Sequence, residues 1–198
     1  MTDTAIRRPR SALLAAAMMI VLPLGGMLGC SDFLTAENPG AIEVDAVNDP
    51  VNVNIIANGP ISTFQFAHSE ITYWNAQFTD ELHNRATFAE EGQIDRRELF
   101  SDMTYINAFM YAPMQRARFV GEDAAARLKT ILGDTATRDL RVARSLAYAG
   151  FSYVDLGEMM CTTPIDLGAP KTSEEIFADA IARFQEAISI ANAAKAFA

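Results

Sequence analysis

The sequence predicts an all-α fold, a helical bundle or repeat, and three observations indicate it. Apolar residues recur at spacings of three and four along most of the chain, which is the period of one helix face. No segment alternates convincingly between apolar and polar residues, as a half-buried strand does. Prolines, glycines and capping residues separate the periodic segments. The clearest apolar run consists of Ile61, Phe64, Ala67, Ile71, Trp74 and Phe78.

The first helix is predicted to begin at the sequence NDP, residues 48–50. Asn48 or Asp49 can cap it, and Pro50 suits the first helical position. We expect Pro60 to interrupt this helix, because proline has no N–H to donate to the preceding turn. A second helix is then expected over roughly residues 61–79.

The middle of the chain alternates between charged and periodic segments. Residues 80–102 carry many charges without a clear period and are predicted to form a long surface loop. Residues 103–132 are predicted to be helical again, with Pro113 at a start or kink. The sequence LGDTATR ends this pattern at residues 132–138.

Two more helices are predicted toward the C-terminus. The first covers roughly residues 138–160, and the loop CTTPIDLGAPKT, residues 161–172, follows it. The last helix is predicted to begin at Ser173, whose hydroxyl can cap its N-terminus. The acidic residues of the first turn also suit the positive end of the helix dipole. Cys161, in the loop, is expected to be a buried thiol or to pair with a cysteine beyond residue 198.

The N-terminal 29 residues have the layout of an export signal. A basic stretch with three arginines precedes the uncharged, apolar residues 13–24, and small residues follow up to Gly29. The 19 uncharged residues from Ser11 to Gly29 are also long enough for an uncleaved membrane anchor. Pro23 and the following glycine pair fit a cleavage region better than a continuous membrane helix.

A cysteine stands directly after this segment. The sequence MLGC resembles the lipobox of bacterial lipoproteins, although Met27 stands where leucine is usual. In that motif the cysteine receives a diacylglycerol and becomes the first residue. We therefore predict a lipoprotein signal peptide over residues 1–29, a lipid anchor on Cys30, and a flexible tether over residues 30–48. Plain secretion and an uncleaved anchor are the alternatives.

The remainder of the chain, residues 49–198, suits one domain. Removal of the signal segment changes the formal net charge from −9 to −11, because that segment carries three arginines and one aspartate. An acidic chain without basic runs argues against nucleic acid as a partner, since phosphates require clustered Lys and Arg. It also argues against adhesion to anionic lipid through charge, so the lipid itself must anchor the protein.

The last two predicted helices carry the small and large positions of a tetratricopeptide-like helix pair. Small residues allow the helices to approach, and large residues fill the space between them. The turn between them is longer than in a standard repeat, because residues 161–172 are inserted there. The positions concerned are Leu146, Ala149, Gly150, Tyr153, Ala180, Phe184 and Ala187.

Several stretches, taken in order behind the lipobox, resemble the SusD/RagB family of outer-membrane lipoproteins. They are CSDFL and NPGAI, NDPVNVNIIANGPISTFQ, MYAPMQRARFVGEDAAARL, ARSLAYAGFSYVDLGEMMCTTPID and TSEEIFADAIARFQEAISIA. The resemblance spans most of residues 30–192. Family members are usually several hundred residues long, so the resemblance implies their N-terminal portion. The chain is then either a fragment with an incomplete helical domain or a shortened relative.

The resemblance implies a binding protein rather than an enzyme. Family members sit on the outer membrane, cap a TonB-dependent β-barrel transporter of the SusC type, and pass it glycans or other nutrients. The alternative is a helical-repeat scaffold lipoprotein that binds another protein. An exported enzyme is a third possibility, but no Ser-His-Asp order, nucleophile elbow or phosphate loop supports it.

The sequence TYWNAQF, residues 72–78, offers candidate sugar-binding groups, because sugars are held by flat aromatic faces and by amides. Trp74 shares the apolar stripe of its helix, so burial in the core is the competing interpretation. Neither a metal nor a cofactor is predicted, since His68 and His83 have no recognised ligand spacing with the acidic residues near them. The candidate ligand-binding residues are Tyr73, Trp74, Asn75 and Gln77.

The lipid anchor is tested by the substitution Cys30→Ala. We expect the variant to lose detergent-phase partitioning, because the thiol that carries the acyl chains is absent. Phase separation of membrane extracts measures this directly. Unchanged partitioning would contradict the lipoprotein prediction and weaken the function built on it.

Overall fold

The computed structural model describes residues 46–197, so the predicted signal segment, Cys30 and most of the tether lie outside the described residues. Of the interpretable residues, 76% are helical, which confirms the all-α prediction. None of the described helices combines the length and apolarity needed to cross a bilayer.

Five α-helices build the described part of the chain. They are α1 (Val53–Phe78), α2 (Ala89–Asp95), α3 (Ala112–Leu132), α4 (Leu140–Met159) and α5 (Ser173–Ala196). Short 3₁₀ turns precede α1 and α4, at Pro50–Asn52 and Gly133–Arg138, and a π-helix at Ile106–Tyr111 runs into α3. A small antiparallel hairpin joins α4 to α5 through β1 (Thr162–Pro164) and β2 (Pro170–Thr172).

The start of the first helix is confirmed, whereas the expected break at Pro60 is wrong. The Asp49 carboxylate accepts a hydrogen bond from the Val51 amide at 2.9 Å and caps the 3₁₀ turn that leads into α1. α1 then continues through Pro60, whose ring is buried like Ala57 and Ala67 on the same helix. An interior proline costs about 3 kcal/mol. The helix accommodates it because apolar residues on both sides of Pro60 are buried against the neighbouring helices.

Three local predictions need correction. The charged segment 80–102 contains helix α2, which is anchored by the buried side chain of Ile94. The loop before α5 contains the β-hairpin, so the chain is not free of strands. Thr172 rather than Ser173 caps α5, because Thr172 and Glu175 form a reciprocal capping box.

Helix α4 lies at the centre and contacts α1, α3 and α5. The contacts run in opposite order along the two helices, since Gly150 meets Phe184 and the later Gly157 meets the earlier Phe177, so α4 and α5 are antiparallel. The predicted helix pair with an enlarged turn is therefore present. Its assignment as a tetratricopeptide-like repeat stays a prediction.

Small residues allow the helices to approach closely. A Cβ atom placed on Gly121 would lie 2.8 Å from the Cβ of Ala149, closer than side chains tolerate. A Cβ atom on Gly150 would lie 2.7 Å from the ring of Phe184. The small residues predicted at positions 149 and 150 thus bring α4 against α3 on one side and α5 on the other.

A buried polar network joins α3, α4, α5 and the loop between β1 and β2. Arg118 is only 3% exposed and donates to Glu122 at 2.7 Å and to Asp166 at 2.6 Å. The second oxygen of Glu122 accepts from the Tyr153 hydroxyl at 3.0 Å and from Arg183 at 2.7 Å. One carboxylate therefore holds side chains from three helices.

The network changes the acidity of the Tyr153 hydroxyl. Burial raises the pKa of Tyr153 to about 12, and the negative charge of Glu122 adds to this effect. The guanidinium of Arg118 opposes it, because a nearby positive charge favours the phenolate. Tyr153 is consequently a hydrogen-bond donor to Glu122 throughout the physiological pH range.

The substitution Glu122→Gln is expected to destabilise the protein by about 2 kcal/mol, because two arginines lose their shared carboxylate. It should also lower the pKa of Tyr153 from about 12, without restoring its ordinary value, since the ring stays buried. Chemical denaturation measures the first effect, and NMR titration of labelled tyrosine measures the second.

The neighbouring Asp123→Asn is the matched control. Asp123 bonds Arg127 at a half-exposed position, and exposed ion pairs contribute little stability. Equal losses of stability in the two variants would show that the Glu122 network is not specially important.

Candidate functional site

A cleft of about 330 Å³ opens where α1 ends. Its walls come from α1, the end of α2, the π-helix and the C-terminal end of α4. The volume falls at the lower end of the range for small-molecule sites, so the cleft suits a small ligand or one unit of a larger ligand. The lining residues are Trp74, Asn75, Phe78, Ile94, Leu99, Ile106, Met110, Glu158, Met159 and Met160.

The lining is apolar apart from two residues. Asn75 contributes an amide, and Glu158 contributes a carboxylate that makes no ion pair with any described residue. Apolar walls with a few polar groups are typical of ligand sites, because the walls supply burial and the polar groups supply orientation. The cleft therefore fits a ligand with one apolar face and with hydrogen-bonding groups along its edge.

The indole of Trp74 is held rigidly in the cleft wall. It is 4% exposed, and its N–H donates to the Glu70 carboxylate at 3.2 Å. Tyr73 and Tyr105 contact it edge-on, with ring centroids 4.9 and 5.4 Å away. Such edge-to-face arrangements are favourable for aromatic pairs, so the ring position is fixed by its neighbours.

The π-helix supplies a second wall of the cleft. Ile106 and Met110 line it, and the same short helix continues into α3. π-helical turns are rare and occur often at functional sites, because the extra residue in the turn redirects side chains. This irregular element is a structural reason to regard the cleft as a candidate site.

The four ligand residues predicted from the sequence do not all lie in the cleft. Trp74 and Asn75 both line the cleft, but Trp74 is buried in the hydrophobic core, which confirms the competing interpretation of this residue. Tyr73 lies at the surface behind the indole. Gln77 is 1% exposed, and both of its amide atoms lack a hydrogen-bond partner among the described residues.

Sequence analysis missed much of the opposite wall. Glu158, Met159 and Met160 come from the end of α4, more than 80 residues after Trp74. Leu99 comes from the segment that was predicted to be a long surface loop. No local pattern marks these residues as partners of Trp74, because only the packing of α1 parallel to α4 brings them together.

A histidine–carboxylate pair lies one helical turn before Glu158. His68 Nδ1 lies 2.9 Å from an Asp155 carboxylate oxygen, and the His68 ring stacks on Phe64. Burial raises the pKa of Asp155 above its usual value, and the hydrogen bond to His68 partly offsets this. Among residues 46–197, no group of three His, Cys, Asp or Glu side chains has the geometry of a metal site.

Cys161 follows directly after the cleft residue Met160. It is an exposed free thiol in the described structure, so the prediction of a buried thiol is wrong. It lies at the start of the hairpin, where the chain leaves α4 for the surface. Pairing with a cysteine beyond residue 198 stays a prediction.

Comparison of this chain with protein-family models, with curated proteins and with solved structures finds no significant match. The resemblance to the SusD/RagB family consequently stays a prediction. The geometry of the cleft stands independently of it.

The substitution Gln77→Met is expected to stabilise the protein by about 1 kcal/mol, because it removes a buried amide that lacks partners and keeps a similar shape. Thermal or urea denaturation of the ligand-free protein measures the change. Gln115→Met is the contrasting control and should be destabilising, since its amide bonds Thr163 and the Pro164 carbonyl. A destabilised Gln77→Met variant would show that this amide has a partner in solution.

Proposed function

We propose that this chain is a nutrient-binding outer-membrane lipoprotein of SusD/RagB type, anchored through Cys30, that passes its ligand to a TonB-dependent β-barrel transporter. The observation that carries the proposal is the cleft beside Trp74 and Asn75. A rigid aromatic wall beside an amide and a carboxylate that forms no ion pair within the described part of the chain is suited to hold a small polar molecule with one apolar face.

Glycans are the ligand class that agrees best with both the sequence and the cleft. The C–H face of a pyranose ring packs against aromatic and apolar walls, and its hydroxyls exchange hydrogen bonds with amides and carboxylates. Asn75 offers both a donor and an acceptor, and Glu158 offers acceptors. The apolar share of the lining favours one sugar unit inserted into the cleft over a long chain lying along it.

The exposed face of α5 supports contact with a protein partner. Ile181 and Ile188 stand more than half exposed on it, while the charged residues of this stretch, Asp179, Arg183 and Glu186, lie to one side and form ion pairs. Uncharged, partly apolar surfaces of this kind mark interaction sites. In members of the SusD/RagB family, which the sequence resembles, the repeat helices usually face the transporter. The exposed residues of this face are Ala178, Ile181, Ala182, Gln185, Ile188, Ser189 and Asn192.

The same face favours the second candidate, a helical-repeat scaffold lipoprotein that binds another protein and no sugar. Stacked helix pairs bury a continuous core, and a terminal pair with an apolar outer face needs a cap or a partner. The two candidates therefore share the α5 surface and differ in whether the cleft holds a glycan.

Affinity electrophoresis against a panel of polysaccharides separates the candidates. We expect at least one polysaccharide to retard the full chain, and Asn75→Ala to weaken that binding about three- to tenfold through the loss of hydrogen bonds. Asn192→Ala, on the exposed face of α5, is the matched control and should bind as the unchanged protein does. Trp74 is not substituted, because its removal would disturb the core.

A pull-down with a β-barrel transporter provides the second measurement. Ile188→Glu should weaken capture of the transporter, since it places a charge on the uncharged face of α5. Absence of glycan binding together with capture of a soluble periplasmic partner would contradict the nutrient-binding proposal and favour the scaffold.

A further inference from the structure

A second concavity, of about 480 Å³, lies between α1 and the start of α3. The π-helix borders this groove as well as the cleft, because Ala108 lines the groove while Ile106 lines the cleft. The groove has a different chemistry, since its walls combine an exposed aromatic ring, hydroxyls and a guanidinium. The residues that matter are Ser62, Thr63 and Phe66 from α1, and Arg116 from α3.

Helical spacing brings these side chains to one surface. Ser62 and Phe66 are four residues apart on α1, and Thr63 is three residues before Phe66, so all three share a face. Arg116 stands one turn after Ala112 on α3. The methyl side chain of Ala112 leaves space between the two helices for a bound molecule.

Phe66 is an exposed aromatic residue in this groove. The residue is 57% exposed, although its neighbour Ala67 is fully buried in the core. A single exposed aromatic residue is ordinary on a protein surface. Here the ring lines a concave groove together with polar groups, which is the arrangement that binds the C–H face of a sugar.

Arg116 is an unpaired cation in this groove. Among the described residues it makes neither an ion pair nor a side-chain hydrogen bond, whereas Arg118 and Arg127 on the same helix bond carboxylates. Its side chain is exposed in the groove, so the guanidinium is accessible to a ligand. Its planar fork of donors matches a carboxylate.

The two hydroxyl groups of the groove already donate hydrogen bonds within α1. Ser62 Oγ donates to the Gly59 carbonyl at 3.0 Å, and Thr63 Oγ1 donates to the same carbonyl at 2.9 Å. Each oxygen keeps lone pairs that can accept from a ligand. The groove therefore complements a ligand that has hydroxyl donors beside Ser62 and Thr63 and an anionic acceptor beside Arg116.

We propose that this groove binds a carboxylated sugar, as in the uronate units of an acidic polysaccharide. Such a unit combines a C–H face for Phe66, hydroxyl donors for Ser62 and Thr63, and a carboxylate for Arg116. The inference rests on the proposed glycan-binding function and adds the chemical class of the ligand. It also adds a second contact site, which the π-helix connects to the cleft.

Affinity electrophoresis of the full chain in detergent tests the inference, with polygalacturonate, its methyl-esterified form and a neutral galactan as probes. We expect polygalacturonate to bind at least tenfold more tightly than the methyl ester, in which the charge is removed. Arg116→Gln and Phe66→Ala should each weaken polygalacturonate binding about tenfold. Arg116→Lys should recover part of the affinity, because it restores the charge without the bidentate geometry.

Arg85→Gln is the matched control, since Arg85 is an exposed arginine outside the groove and should not affect binding. Thermal unfolding of all variants should be nearly unchanged, because Phe66 and Arg116 are exposed. Two results would overturn the inference. One is an affinity for polygalacturonate that falls equally in Arg85→Gln and Arg116→Gln. The other is binding of dextran sulfate that is as tight as that of polygalacturonate and does not change in Phe66→Ala.

The outcomes separate this inference from the function on which it rests. Binding of neutral glycans, with no preference for polygalacturonate and no effect of Arg116→Gln, would overturn the carboxylated-sugar site and leave nutrient binding standing. Absence of binding to every polysaccharide would contradict the proposed function itself, and the groove assignment with it.

Discussion

The carboxylate of Glu122 is the interaction on which the arrangement of the helices depends. It receives hydrogen bonds from Arg118, Tyr153 and Arg183, so one side chain of α3 ties α4 and α5 to it. Burial of a guanidinium is costly unless its donors are satisfied, and further acceptors for Arg118 come from Gln115 and, in the loop between β1 and β2, from Asp166. The enlarged turn between α4 and α5 is thereby fastened to the helix bundle, which explains why an insertion there is compatible with an ordered helix pair.

Close helix contacts and irregular segments divide the molecule into two regions. Gly121 allows the backbone of α4 to approach, and Gly150 leaves room for the ring of Phe184, so α3, α4 and α5 form a tightly packed unit. At the end of α1 the packing is less regular, because α2 and the π-helix replace long helices there. The cleft lies in this second region. Regular helices hold the walls of the cleft in place, and the irregular elements leave the cavity between them. Binding sites are commonly formed by irregular segments on a rigid scaffold.

Sequence reasoning located one wall of the candidate site and missed the other. Trp74 and Asn75 were found because an aromatic residue and an amide stand together near the end of an apolar stripe. Glu158 was not found, since nothing in its own neighbourhood distinguishes it from a solvated charge. Pro60 was misjudged for the opposite reason, because the local rule that proline breaks helices was applied without the burial energy that overrides it. Gln77 was predicted to contact ligand, and its burial followed from the packing of its helix.

The sequence by itself determined the helical class, the positions of most helix boundaries and the small residues at helix contacts, because these depend on local period, capping and side-chain size. It also determined the acidic charge of the chain and the resemblance that suggests a surface lipoprotein. Only the tertiary structure decided which helices run side by side, that Arg118 and Arg183 share Glu122, and that Arg116, without an ion pair among residues 46–197, lies near an exposed Phe66. Those features join residues far apart in the chain, and local sequence carries no signal for a distant partner.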